Sequence, residues 1–140
     1  MARILGIDYG TKRTGIATTD PLQIIVSGLE TVATQEVLPF LTTYLAQEQV
    51  EKIVVGEPLH ADGSPAQIAH LVVGFVRILK KTFPDIEVIT WDERYTSETA
   101  KDIILQSGVG RKKRREKALV DKVSAVLILE DYMQQQVWTD

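Results

Sequence analysis

The segment Lys52-Ile53-Val54-Val55-Gly56 constrains this chain more than any other. Three consecutive branched apolar residues without polar alternation suit a strand buried on both faces. Such a strand needs one layer above it and another below, and its neighbours supply helical periods. Thr34 reads as the cap of a helix to about Gln49, with Leu38, Leu41 and Leu45 as its apolar stripe and Pro39 in its first turn. Ser64-Pro65-Ala66-Gln67 reads as a helix start with a capping box; Ile68, Leu71, Val72, Phe75 and Leu79 follow at helical spacing, and Phe83-Pro84 ends the helix. Upstream, Arg3 to Ile7, Thr14 to Thr19 and Ile24 to Val32 read as three strands joined by short turns, an antiparallel meander. Downstream come a fifth strand from Glu87 to Trp91, a helix capped by Thr96 or Ser97 through about Gln106, and a last helix from Ala118 to Gln135. The order βββαβαβα plus one further helix predicts an α/β fold, a five-stranded mixed sheet flanked by helices, with residues 1–140 as one domain.

Composition closes off several functions. At 44% hydrophobic and 25% charged residues over 140 positions, the chain is neither disordered, collagenous nor a coiled coil. No apolar run approaches the roughly 18 residues of a membrane span. Met1-Ala2-Arg3 leads straight into the first strand, so a cytoplasmic protein with no membrane partner is expected. The absence of cysteine excludes disulfides, thiolate zinc sites and cysteine nucleophiles. His60, in a loop, and His70, beside an apolar stripe, read as ordinary residues. The net charge of −3 hides an asymmetry: Arg111, Lys112, Lys113, Arg114, Arg115 and Lys117 surround a single Glu116, and the rest of the chain holds 10 basic against 18 acidic side chains. Such a run reads as a phosphate-contacting patch or as a solvated loop.

The candidate chemistry lies at element ends. Asp8 closes the first strand and Asp92-Glu93 follow the fifth; Glu57 closes the fourth and reads as surface; Asp121 stands in the first turn of the last helix, whose Leu119–Tyr132 stretch is apolar in nearly every direction. A sheet with flanking helices can bring Asp8, Glu93 and Asp121 to one edge. Three carboxylates without a basic partner repel, and divalent cations resolve that repulsion; oxygen ligands alone suit Mg²⁺ or Mn²⁺. Two such ions roughly 3.5–4 Å apart can activate a water and stabilise the leaving oxygen of a phosphodiester.

The segments LGIDYGTKRTGIATTD, VVGEPLHADGS, WDERYTSETA and KVSAVLILEDYM, in this order and spacing, resemble the YqgF/RuvX family from Ile4 to about Tyr132. The resemblance implies a ribonuclease H-like fold similar to the Holliday junction resolvase RuvC. It also implies a divalent-metal nuclease, in a family first labelled Holliday junction resolvases and now described as pre-16S rRNA nucleases that mature the rRNA 5′ end. By motif position, Asp8, Glu93 and Asp121 become the catalytic and metal-binding acids, with Asp92 as support. Lys12, Arg13 and Arg94 become substrate or structural partners. The family usually reads VVGLP where this chain has VVGEP, so Glu57 is an extra ligand or a surface change. Ser124-Ala125 stands where two alanines are usual.

Two other classes stay in view: a catalytically silent nucleic-acid-binding module, and a nucleotide site, since GIDYGTKRTG also resembles the phosphate loop of actin-like ATPases and sugar kinases. The expected partners are nucleic acid, as pre-rRNA or branched DNA, and the ribosomal small-subunit precursor. A resolvase needs a two-fold dimer and a trimming enzyme works as a monomer, so monomer and homodimer both remain open.

Overall fold

The computed structural model describes residues 2–57, 68–92 and 122–134. Five strands form one sheet: β1 (Arg3–Asp8), β2 (Arg13–Thr19), β3 (Val26–Ala33), β4 (Val50–Glu57) and β5 (Glu87–Asp92). The order across the sheet is β3-β2-β1-β4-β5. β1 pairs antiparallel with β2 and parallel with β4; β2–β3 is antiparallel and β4–β5 parallel. This is the mixed sheet expected from the sequence, with the apolar β4 and β1 at its centre.

Strand periodicity sorts the core into two layers. Leu5, Ile7, Ile53, Val55 and Val88 face helices α1 (Val37–Gln47) and α2 (Ala69–Thr82). Ile4, Ala17 and Val54 face the other way, onto α3 (122–134), which buries Ala125, Ile128, Leu129 and Tyr132 there. Fully burying each Leu or Ile contributes about 1.5–3 kcal/mol, so the two faces carry most of the stability.

Three local expectations are corrected. Thr34 does not cap α1: residues Thr34–Glu36 form a 3₁₀ turn, α1 starts at Val37, and neither start has a side-chain cap. On α2, Leu71 is 39% exposed and Val76 is buried instead. The buried row is Val72, Phe75, Val76 and Leu79, and a residue one step before Val72 is turned about 100° away from it. On α3 burial is one-sided, since Glu130 and Asp131 face solvent. Ser64–Gln67 and the helix expected through Gln106 lie outside the described residues. Among the described residues no helix is long and apolar enough to cross a membrane.

The α3–sheet contact is close. A Cβ on Gly6 would stand 2.8 Å from Leu129 Cβ and 3.0 Å from the Ala125 carbonyl oxygen, so only a bare backbone lets α3 lie this near β1. Farther along, Trp91 Nε1 donates to Asp131 Oδ2 at 2.6 Å and the Trp91 ring meets Tyr132 edge-on at 5.3 Å. Replacing Gly6 by alanine is expected to push α3 outward and cost about 1–3 kcal/mol, as overpacked cores do. Urea and thermal unfolding of Gly6→Ala check this; the unfolding midpoint should fall by several degrees.

Candidate active site

Asp8 is the last residue of β1, half-buried and opposite Gly15 of β2. Ile4 and Gly6 face α3 while Leu5 and Ile7 face α1 and α2, so the two-residue period puts Asp8 on the α3 face. The backbone then turns sharply. A Cβ on Gly10 would lie 2.2 Å from the Arg13 carbonyl oxygen, so no other residue fits this turn.

Two threonines brace that turn. The Gly10 amide donates to Thr14 Oγ1 at 3.5 Å, and Thr34 Oγ1 donates to the Gly10 carbonyl at 2.6 Å. Thr14 Oγ1 and Thr34 Oγ1 lie 3.0 Å apart. Since the Thr34 proton is committed to Gly10, Thr14 donates to Thr34, and the three bonds close a ring. The Thr34 amide adds a bond to the Lys12 carbonyl at 3.0 Å. On the same face, the one covered by α1 and α2, the Tyr9 ring packs on Phe75 of α2, centroids 4.6 Å apart. The backbone just beyond Asp8 is therefore fixed from the face that α1 and α2 cover. Lys12 projects into solvent beside it and Arg13 opens β2, half-buried. Sequence pattern gives little notice of the threonine ring. A threonine four residues after a turn glycine is its one local sign, and the partner Thr34 is 20 residues away.

Glu57 and Asp92 do not join Asp8. They are register partners at the ends of β4 and β5. Val54 and Trp91 belong to the α3 layer and Val55 and Val88 to the α2 layer, so the alternation turns Glu57 and Asp92 toward α2. Glu57 there lines a half-open groove of about 470 Å³ with Thr90, His70, Val73, Arg77 and Lys80. Glu93, Arg94, Asp121 and the basic run Arg111–Lys117 lie outside the described residues. Among the described residues no group of three His, Asp or Glu side chains stands ready to hold a metal ion. Asp8 itself suits one: a carboxylate at a strand end, on a fixed backbone, offers the hard oxygen donor that Mg²⁺ and Mn²⁺ prefer.

Because Glu57 points to the opposite face from Asp8, Glu57→Leu is expected to leave metal-dependent cleavage within about twofold of wild type. Single-turnover cleavage rates across a Mg²⁺ titration check this; a raised Mg²⁺ requirement would return Glu57 to the ligand set.

Comparison with known proteins bears on the fold and the family. A solved neighbour, the fowlpox virus resolvase in complex with Holliday junction DNA, superposes with a TM-score of 0.60 at 14% identity, covering 96% of this chain and 98% of the other. The RuvC of Thermus thermophilus with its Holliday junction substrate gives 0.51 at 17%, covering 89% and 92%. These neighbours establish the RNase H-like fold. A relative from Flavobacterium johnsoniae, named "Putative pre-16S rRNA nuclease", is 48% identical over 133 residues, covering 95% of this chain and 96% of its own. The profile of the family described as RuvX: Holliday junction resolvase matches residues 2–135, and the chain belongs to that family.

Proposed function

We propose that this protein is a divalent-metal-dependent nuclease that trims the 5′ end of pre-16S rRNA in the cytoplasm, its nuclease domain spanning residues 1–140. The observation that carries the reading is Asp8: a strand-end carboxylate on the α3 face, with its following turn locked by the Thr14–Thr34–Gly10 ring. The names carried by relatives 46–48% identical over almost the whole chain support the substrate.

Asp8, Glu93 and Asp121 would hold Mg²⁺ or Mn²⁺. A divalent cation supplies the charge that neutralises the phosphodiester and acidifies a water. The rest falls to the chain's own groups. The braced turn keeps Asp8 from swinging away when a polyanion approaches, which preserves the attack geometry. Lys12, Arg13 and Arg94 neutralise phosphates flanking the scissile bond. The Arg111–Lys117 run grips the backbone farther along without reading bases. In-line attack by water leaves a 3′-hydroxyl and a 5′-phosphate.

The deciding experiment offers pre-16S 5′-leader RNA and, in parallel, a four-way DNA junction, each with Mg²⁺, Mn²⁺ or EDTA. RNA cleavage is expected to need the metal and to fall about 10²–10³-fold in Asp8→Asn, the scale of losing several kcal/mol of charge stabilisation. Cleavage unchanged in Asp8→Asn would refute the reading. The fold shared with junction-bound resolvases favours one alternative. Paired symmetric nicks in the junction would support that alternative and require a two-fold dimer. Neutralising two residues of the 111–117 run should reduce the slope of log affinity against log salt by roughly 0.9 for each duplex phosphate that the variant no longer neutralises. An unchanged slope would make the run a solvated loop.

A further inference from the structure

The turn between β2 and β3 lies at the end of the sheet away from Asp8. β2 runs antiparallel to β1, so the turn sits by Ala2 and Arg3, about 17 Å along the strand from Asp8 at 3.3–3.4 Å per residue. It is rigidly built. Asp20 Oδ1 accepts the Ile24 and Ile25 amides at 2.7 and 2.8 Å. The Asp20 amide donates to the Ile25 carbonyl and the Gln23 amide to the Asp20 carbonyl. The Gln23 side chain donates to the Ala2 carbonyl at 2.9 Å and to the Glu51 carboxylate. Gln23 has φ 59, the one positive φ at a non-glycine among the described residues. The Ile25 amide above all, opposed by desolvation and helped by the Ile24 and Leu22 amides, holds the Asp20 carboxyl below its ordinary value.

This frame displays apolar side chains to water. Leu22, Ile24 and Ile25 are 56%, 72% and 66% exposed. A strained, many-bonded turn that holds three large apolar groups outward loses little conformational freedom when it docks, and clustered exposed apolar surface marks an interaction site. Among the described residues, Asp20 and Glu51 belong to the turn's own framework, Arg3 donates to the Thr19 carbonyl and is paired with Glu48 at 3.2 Å, and Lys52 lies within electrostatic reach of Glu51. Three acids against two bases leave a small acidic excess at the rim, which disfavours a polyanion and favours a basic surface.

We propose that the Leu22–Ile25 turn is a docking knob for a basic protein that presents an apolar pocket ringed by Lys and Arg, leaving the Asp8 edge free for RNA. On the pre-rRNA reading above, on which this identification of the partner rests, the partner is a protein already bound to the precursor RNA. Such proteins carry excess Lys and Arg because they neutralise phosphates.

The test measures binding of the full chain to purified small-subunit precursor particles and to the same precursor RNA stripped of protein. Ile24→Ser/Ile25→Ser should raise the Kd for particles at least tenfold while Kd and cleavage on stripped RNA stay within twofold. Circular dichroism confirms the variant's fold, and Leu22→Ser serves as a second, milder variant expected to weaken particle binding in the same direction. Unchanged particle binding in both variants would overturn the proposal. Equal weakening on stripped RNA would overturn it in favour of nucleic acid at the knob, and a wild-type dimer abolished in the variants in favour of a second copy. Wild-type protein that neither binds nor cuts stripped RNA with any metal would instead sink the nuclease reading, while a variant-sensitive particle Kd would still uphold docking.

Discussion

The approach of α3 to β1 at Gly6 underlies most of this structure. Helix backbone and strand backbone come within a distance that no Cβ at Gly6 would permit. Ala125 and Leu129 fill the space, and the α3 layer of the core assembles around them from Ile4, Ala17, Val54 and Ile128. At the other end of α3, Trp91 and Asp131 fix the helix against β5. The Lys122 stem lies over Gly28 of β3, so the described helix crosses from β3 to β4–β5. One short contact thereby sets where the described part of α3 lies on the sheet.

The same contact gives the sheet two unequal faces, and the chemistry follows the division. On the α3 face Asp8 stands at the end of the central strand, its turn closed by a ring of three hydrogen bonds. On the α2 face Glu57 looks into a groove with Arg77 and Lys80 nearby. Acids that are neighbours along an edge are thus separated by the thickness of a sheet. The two ends of the sheet also differ. The end at Asp8 has Lys12 and Arg13 beside it, whereas the end at Asp20 carries the exposed apolar side chains of Leu22, Ile24 and Ile25.

Ser124 breaks the pattern. Its hydroxyl is buried and has no hydrogen-bond partner among the described residues. Burying such a hydroxyl costs about 1–3 kcal/mol, and none of the described neighbours offsets it.

The strands and their order along the chain were written in local pattern, except that Ile24 and Ile25, read as the start of the third strand, lie in the turn before β3 because Asp20 takes up their amides. Lys52–Gly56 had to lie between two layers, Asp8 had to close a strand, and the four motif segments named the family before any contact was known. Period-two alternation and apolar runs are local properties, so the sequence alone carried them. The α2 stripe was legible only approximately, because rotation about a helix axis is set by what it packs against, and Val76 rather than Leu71 found the sheet. Thr34 looked like a helix cap because capping is the commonest local use of threonine; the fold brought it against Gly10 and gave its hydroxyl a different partner. The separation of Glu57 from Asp8 depended on strand register between β1 and β4, a nonlocal quantity. Sequence determined which residues form strands and which acids end them. Tertiary structure decided which of those acids share a face, because facing is a relation between elements and a single strand does not contain it.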